Sequence, residues 1–209
     1  RQGTHLGYNR IKQELNVQTL VIANQKGGVG KTTTAVNLCA SLAAMKRRVL
    51  LVDADPQANA TTGSGLEKVD ETEGTSSALL NLEGKRIFKT DGLGYDVMPS
   101  GPSLVAAESE LRTIDERELA LLKSLEPLKD KYDYVVIDCP PSLNLLTING
   151  LRASKNLLVP MQCEYYALEG LAGLIETIDQ LNASTGHNLQ LTAIVRTMFD
   201  PRNKLGKQV

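Results

Sequence analysis

The sequence has few of the residues on which several kinds of function depend. It contains no tryptophan, two phenylalanines and six tyrosines among 209 residues, so it offers no row of aromatic side chains on which the bases of a single strand could stack. The two histidines and three cysteines are scattered without metal-ligand spacing, and no Ser-His-Asp arrangement stands out. An odd number of separated cysteines is typical of a protein in a reducing cytosol.

Charge and hydrophobicity are equally restrictive. The formal net charge is −1, so no overall positive field draws the chain to nucleic acid or to an acidic membrane, and any such binding needs a local basic patch. The sequence has no run of about 18 apolar residues, so it predicts no membrane-spanning helix. With 42% hydrophobic residues, the chain can bury one substantial core.

The strongest motif is a glycine-rich stretch directly after an apolar run. Residues 25–33 read Gln-Lys-Gly-Gly-Val-Gly-Lys-Thr-Thr. The last three places of the P-loop pattern G-x-x-x-x-G-K-[ST] are filled by Gly30, Lys31 and Thr32, whereas Gln25 stands where the pattern has its first glycine. A strand that ends in glycines and continues as a helix directs several backbone amides at one point. That arrangement binds phosphate.

The loop also carries a second lysine, Lys26. Two ammonium groups can share the oxygens of one triphosphate, but a single short loop has difficulty aiming both at the same γ-phosphate. One lysine is therefore expected to serve the nucleotide of a neighbouring subunit. The alternative is a glycine-rich turn with solvated lysines, and it leaves unexplained why Thr32 stands where a P-loop hydroxyl binds Mg²⁺.

Two further apolar runs end in acidic residues. Residues 49–52 and 134–137 predict strands that are buried on both faces, followed by Asp53 and Asp55 in the first case and by Asp138 in the second. Ligands of open α/β sheets bind beyond the carboxyl ends of the strands, so these acids and the P-loop are expected to meet one nucleotide. Asp138 stands where P-loop NTPases place the acid that holds Mg²⁺.

The rest of the chain alternates predicted strands and helices. Helices are predicted at 33–45, near 77–82, at 119–125 and at 171–181, and strands at 96–99, 156–160 and 191–197. This alternation predicts an α/β fold with a doubly covered, mostly parallel sheet of the P-loop NTPase type. The glycines and charges of residues 58–95 predict mostly loops.

The two ends of the chain carry weaker signals. Residues 1–18 are polar and predict a loosely held N-terminal extension, with a partner-binding or DNA-binding arm as the alternative. Residues 196–209 contain four basic residues, among them Arg202 and Lys204, against one acidic residue. Such a segment can contact the phosphates of duplex DNA, although a solvated face explains the same charges.

Taken together, these motifs resemble one class of ATPases. The deviant P-loop of the ParA/MinD class is similar to the run Lys26, Gly27, Gly28, Val29, Gly30, Lys31, Thr32 and Thr33. The stretches at 49–57, 134–142 and 159–170 resemble those of chromosomal ParA (Soj-type) partition ATPases. The similarity covers about residues 19–209, which we assign as the ATPase domain. Because members of this class usually continue for several more elements, the domain is expected to be incomplete at its C-terminal end.

The resemblance implies an ATPase with ATP and Mg²⁺ as cofactors. Residues 26–33 would bind the nucleotide, with Lys31 on the β- and γ-phosphate oxygens, and Asp55 would orient or activate the attacking water. The residues implied at the metal are Thr32, Asp53 and Asp138. Lys26 would cross a sandwich homodimer and touch the partner's ATP.

The same resemblance implies a cellular role. Hydrolysis would be weak alone and raised by a ParB-like activator. The ATP dimer would bind double-stranded DNA nonspecifically through basic residues such as Arg202 and Lys204. Chromosome or plasmid DNA would thereby be segregated or positioned in the cytoplasm, on the nucleoid, without a membrane partner.

Four other interpretations share parts of this pattern. A MinD-like division-site regulator would need a C-terminal amphipathic membrane helix, and a ParA-like protein could instead position a protein cargo. A nitrogenase-iron-protein-like reductase would need paired cysteines at a cluster between subunits, whereas Cys139 and Cys163 lie in the wrong motifs. A scaffold that binds nucleotide without hydrolysing it would not need Asp55.

Overall fold

A computed structural model describes residues 17–70, 72–200 and 202 of the chain. The strands of this part are β1 (Gln18–Ile22), β2 (Val49–Asp53), β3 (Phe88–Lys89), β4 (Asp96–Met98), β5 (Tyr134–Asp138), β6 (Asn156–Gln162) and β7 (Gln190–Thr197). The helices are α1 (Lys31–Ala44), α2 (Asn59–Gly63), α3 (Gly74–Leu80), α4 (Leu104–Leu111), α5 (Ala120–Leu125), α6 (Leu145–Arg152) and α7 (Tyr165–Thr185). Short 3₁₀ turns flank α5 at Arg117–Leu119 and Glu126–Leu128.

The seven strands form one sheet in the order β3-β4-β2-β5-β1-β6-β7. Every neighbouring pair is parallel except β3 and β4. The register places Ile22 of β1 beside Asp138 of β5, and Asp138 beside Asp53 of β2. The start of the P-loop segment, Asp138 and Asp53 therefore lie side by side at the C-terminal edge of the sheet.

Helices cover both faces of the sheet, as β2 makes clear. All five of its residues are buried. Leu50 and Val52 pack in one apolar cluster with side chains of α3 to α7, whereas Val49 and Leu51 pack in another with side chains of α1 and α2. Successive residues of a strand face opposite sides, so an unbroken apolar run requires two covered faces. Full burial of each such side chain contributes roughly 1.5–3 kcal/mol.

Close packing also explains Cys139, which follows β5. A Cβ added to Gly150 of α6 would lie 2.7 Å from the Cys139 sulfur, so glycine lets α6 approach the end of the strand. The cysteine is buried, and burial raises the pKa of its thiol. Cys139 therefore fills space beneath α6 and is poorly suited to act as a nucleophile.

The predicted fold class is confirmed, with differences in detail. The predicted strands at 96–99, 156–160 and 191–197 correspond to β4, β6 and β7. Four short elements of two to eight residues were not predicted, namely α2, α4, α6 and β3. Elements of this length are stabilised mainly by tertiary contacts and show little periodicity in the sequence.

The proposed domain boundary stays a prediction. Residues 1–16 of the predicted N-terminal extension lie outside the described residues. Gln18, the last residue assigned to that extension, is the first residue of β1 and pairs with Tyr134.

Candidate phosphate-binding site

The P-loop connects β1 to α1 through two glycines with left-handed backbone conformations. Gly28 has φ 73° and Gly30 has φ 87°, values that side chains with a Cβ adopt only with strain. Gly30 caps α1, and its carbonyl accepts the first helical bond from the Thr34 amide at 2.9 Å. The amides of the first turn are left without helical acceptors and attract an anion.

These amides border a cavity of about 350 Å³ at the C-terminal edge of the sheet. A Cβ added at Gly27 or Gly28 would meet nothing within 4 Å, so the loop leaves open space in front of its backbone. The cavity is lined by Gly27, Gly28, Gly30, Lys31, Thr32, Thr33, Asp55, Gln57, Asn59, Pro141 and Met198. The structure therefore brings most of the predicted nucleotide-binding residues and Asp55 to one place.

Lys31 is the buried cation of this site. Its side chain is 7% exposed, and its Nζ donates a hydrogen bond of 2.9 Å to the carbonyl of Lys26. Burial lowers the pKa of Lys31, while the nearby carboxyls of Asp138 and Asp55 act in the opposite direction. The ammonium group is therefore held where it can meet phosphate oxygens and the acids around them.

Lys26 is held differently. Its Nζ forms an ion pair with the carboxylate of Glu164, the residue that caps α7, and both side chains are partly exposed. Its amide donates to Asn24 Oδ1 at 3.0 Å. In the single chain, the second lysine is thus paired across the loop with α7 by a contact that solvent can weaken. No role was predicted for Glu164 from the sequence, although this residue lies within the stretch 159–170 that carries part of the resemblance.

Asp138 at the end of β5 is a buried carboxyl group that lacks hydrogen-bond donors of normal geometry among the described residues. Neither of its oxygens accepts a hydrogen bond of normal geometry from the described residues, and the side chain is fully buried. Burial first and the neighbouring Asp53 second raise the pKa of Asp138 to about 8, while the nearby Thr32 hydroxyl and Lys31 lower it. A buried carboxylate in this condition is a good ligand for a cation.

Asp53 at the end of β2 has the opposite character. Its Oδ2 accepts hydrogen bonds from the Thr61 hydroxyl at 2.7 Å and the Thr61 amide at 2.8 Å, and its Oδ1 accepts one from the Asp55 amide at 3.1 Å. Burial raises the pKa of Asp53 to about 6, and the hydrogen bonds from Thr61 and Asp55 oppose this shift. Both oxygens of Asp53 thus accept hydrogen bonds from the protein, whereas neither oxygen of Asp138 does so with normal geometry within the described part of the chain.

The described residues contain no group of three or more His, Cys, Asp or Glu side chains placed to hold a metal ion. Such a group is not needed for Mg²⁺, which usually keeps several waters and binds one or two carboxylates together with phosphate oxygens. Asp138, with its unpaired oxygens, and the nearby Thr32 hydroxyl are a donor set of this kind. The residues present therefore fit a magnesium ion that arrives with a polyphosphate.

Asp55 combines a fixed backbone with a partly free side chain. It is 9% exposed and lines the cavity. Its Oδ1 accepts a hydrogen bond of 2.9 Å from the Gln57 amide, and its Oδ2 has no hydrogen bond within the described part of the chain. The free oxygen can therefore accept a proton or a hydrogen bond from a water beside bound phosphate.

Arg202, one of the two predicted DNA-contacting residues, is not among the residues that line this cavity. Arg202 pairs with Asp200 through contacts of 2.9 Å and longer, and its side chain is 90% exposed. Lys204 lies outside the described residues. No helix in the described ranges is long and apolar enough to cross a membrane.

Comparisons with known proteins place the chain among nucleotide-binding proteins. A family model described as an AAA domain matches residues 17–191. The chromosome partitioning protein ParA of Myxococcus xanthus is 50% identical over 192 residues, which is 91% of this chain and 68% of that protein. The sporulation initiation inhibitor protein Soj of Bacillus subtilis is 48% identical over 192 residues, covering 91% of this chain and 76% of the relative.

A solved structure shares both the fold and part of the sequence. The cobyrinic acid a,c-diamide synthase from Mycobacterium smegmatis with bound ATP analog and magnesium has a TM-score of 0.84 and 37% identity. The match covers 92% of this chain and 79% of that chain. Proteins with different names thus share this architecture, so the fold alone does not decide what the chain does.

Proposed function

We propose that this chain, which belongs to the ParA and Soj family of P-loop ATPases, is an ATP-dependent dimerising switch. It binds duplex DNA nonspecifically and hydrolyses ATP, and it thereby segregates or positions chromosome or plasmid DNA. The observation that carries the proposal is that Lys31 and Asp55 line one P-loop cavity, with Asp138 close enough to Lys31 to act on its charge. Phosphoryl transfer to water needs positioning and charge neutralisation, which these three groups can supply.

ATP and Mg²⁺ are the proposed cofactors. The amides of Gly28 to Thr32 would hold the phosphates, and Lys31 would neutralise the β- and γ-phosphate oxygens. The Thr32 hydroxyl and Asp138 would hold Mg²⁺, directly or through water, and the bound ion would neutralise charge that develops on the phosphates. Asp53 was also predicted near the metal, but its hydrogen bonds to Thr61 and Asp55 favour a supporting role.

Within this arrangement, each group of the chain has one task. The P-loop amides and Lys31 orient the γ-phosphate, and the carboxylate of Asp55 accepts a hydrogen bond from the attacking water through its free Oδ2. Lys26 leaves Glu164 and reaches the ATP of the partner subunit, so ATP joins two chains. Hydrolysis cleaves off the γ-phosphate of the ATP that joins the two chains, and the dimer then dissociates.

The proposal extends to partners. A ParB-like activator would raise a slow basal rate, and the ATP dimer would associate with the nucleoid through basic side chains that include Arg202 and Lys204. The ion pair of Arg202 with Asp200 is exposed and contributes little, so DNA phosphates can displace it at small cost.

Replacing Asp138 with asparagine is expected to stabilise the protein when metal and nucleotide are absent. The ordinary pKa of this carboxyl is 3.8, and it is about 8 in the fold. As the pH rises through this window, the unfolded chain releases a proton that the folded chain retains, so wild-type stability falls. The variant avoids this loss, and its advantage should grow from pH 5 to pH 8, to on the order of 1–3 kcal/mol.

Thermal unfolding in EDTA across that pH range measures the effect. Adding Mg²⁺ and ATP should raise the Tm of the wild type far more than that of the variant, because ligands that bind only the folded state stabilise it. Asp133→Asn is the control, since Arg48 lowers the pKa of Asp133 and its substitution should destabilise. If the difference in Tm between Asp138→Asn and wild type does not change with pH, the raised pKa of Asp138 is contradicted.

Binding of the protein to random-sequence duplex DNA tests the proposed function. The measurement uses ATP, ADP and no nucleotide across a salt series, with anionic lipid vesicles in parallel. We expect binding to require ATP, and we expect the logarithm of the binding constant to fall linearly with the logarithm of the salt concentration. Arg202→Ala should reduce the salt slope by about one per protomer. Arg112→Ala should not, although Arg112, the residue directly after α4, is also exposed and ion-paired.

Two outcomes overturn this proposal. Equal DNA binding with ATP and ADP, or none with either, contradicts a nucleotide-dependent DNA switch. Vesicle binding without DNA binding favours the MinD-like regulator instead.

A further inference from the structure

Four buried residues form a closed ring of hydrogen bonds around the backbone of Asp55. Asp53 accepts from the Asp55 amide and from the Thr61 hydroxyl. The Thr61 oxygen in turn accepts from the Ser100 amide at 2.9 Å, and the Ser100 hydroxyl donates to the Asp55 carbonyl at 2.8 Å. Thr61, Ser100 and Asp53 are each 0% exposed.

The directions of these bonds are settled by chemistry. A backbone amide only donates, so the Thr61 oxygen must accept from Ser100, and its hydroxyl proton is then free to bond Asp53. The Ser100 hydroxyl faces a carbonyl, which only accepts. Every donor in the ring therefore has an acceptor, and the ring costs no unsatisfied polar group.

The ring holds Asp55 on both sides of its Cα. Its amide is tied to the end of β2 through Asp53, and its carbonyl is tied to Ser100, two residues beyond the end of β4. The carbonyl also accepts from the Ala58 amide at 2.8 Å. With Oδ1 bonded to Gln57, only Oδ2 keeps freedom to meet a ligand. A group that activates water must be placed within about 0.5 Å of its productive position.

We propose that Ser100 and Thr61 are positioning residues that fix Asp55 for ATP hydrolysis, with Asp53 as their anchor rather than as a metal ligand. The proposal rests on the proposed function, since it gives the ring a task in the chemistry of Asp55. The contrast with Asp138 supports the proposal. Asp53 and Asp138 lie side by side at the sheet edge, and among the described residues Asp53 accepts three hydrogen bonds whereas Asp138 accepts none of normal geometry.

The test compares Ser100→Ala with Ser77→Ala in steady-state hydrolysis over a range of ATP concentrations with excess Mg²⁺. Ser77 is also 0% exposed and donates to a backbone carbonyl, that of Leu82 at 3.0 Å, but it has no bond to Asp55. Ser100→Ala should lower kcat about tenfold with KM for ATP within about twofold of wild type, because positioning affects the transition state more than binding. Ser77→Ala should keep wild-type kcat even if its Tm falls by a similar amount.

A second pair of variants keeps the test decisive if Ser100→Ala folds poorly. Thr61→Ser retains the hydroxyl and should keep kcat, whereas Thr61→Val removes it at similar volume and should lower kcat with little change in KM. Equal kcat for these two variants overturns the proposal, as does a fall in kcat for Ser77→Ala as large as that for Ser100→Ala.

Asp55→Asn separates failure of this inference from failure of the proposed function. If Asp55→Asn hydrolyses ATP like the wild type, the function assigned to Asp55 is wrong. If Asp55→Asn is inactive while Ser100→Ala and Thr61→Val behave like the wild type, the proposed function stands and only the positioning role is wrong.

Discussion

Asp55→Asn is expected to lower ATP hydrolysis by about 10²–10⁴-fold while ATP binding stays near the wild-type level. Asparagine carries a neutral amide nitrogen in place of Oδ2, which cannot accept a proton from water, but its Oδ1 can still accept the bond from the Gln57 amide. The backbone bonds to Asp53 and Ser100 do not depend on the side chain. The substitution therefore removes the group that accepts a proton from water and keeps the local hydrogen bonds.

Asp70→Asn is the matched control for this experiment. Asp70 also accepts a hydrogen bond from the amide two residues later, Thr72, at 3.0 Å, but it is exposed and away from the cavity. Hydrolysis is measured by phosphate release with excess ATP and Mg²⁺, and binding by a fluorescent ATP analogue. Wild-type turnover in Asp55→Asn would show that another group activates water. A loss of binding that matches the loss of turnover would place Asp55 in nucleotide binding instead.

Lys26→Ala is expected to abolish ATP-dependent dimers, raising the dimer Kd by about 10²–10⁴-fold. In a symmetric dimer the lysine is lost twice, and a hydrogen bond to a charged group typically contributes about 1.5–3 kcal/mol. The monomer should be little affected, because the pair with Glu164 is exposed on both sides. Sedimentation with ATP and with ADP measures the effect, in an Asp55→Asn background that keeps ATP intact.

Two further variants separate the cross-subunit role from the contact with Glu164. Glu164→Gln removes the ion pair but keeps Lys26, so it should form dimers at least as well as the wild type. Lys123→Ala removes an exposed lysine that is paired with Glu116 beside a different cavity, and it should dimerise normally. Unchanged ATP-dependent dimers in Lys26→Ala, or equal losses in Lys26→Ala and Glu164→Gln, would contradict a contact with the partner's nucleotide.

The local elements of the site were predictable because each is encoded by neighbouring residues. Positive φ at Gly28 and Gly30 follows from a strand that must turn into a helix within a few residues. The unbroken apolar runs before Asp53 and Asp138 predicted central strands, and parallel strands bring their carboxyl ends to one edge. Short elements such as α2 and α6 escaped prediction, since eight residues or fewer carry little periodicity.

The sequence by itself determined the phosphate loop, the parallel sheet and the acids at its edge, since glycine conformation, apolar runs and strand ends are local properties. Only the tertiary structure distinguished the two acids. Asp53 and Asp138 end equivalent buried strands, but a hydroxyl eight residues along the chain donates to Asp53, while neither oxygen of Asp138 accepts a hydrogen bond of normal geometry within the described residues. The tertiary structure also brings Ser100 to Asp55, 45 residues apart in the sequence, and Glu164 to Lys26, 138 residues apart. Such contacts depend on where the folded chain returns, and no local pattern encodes that.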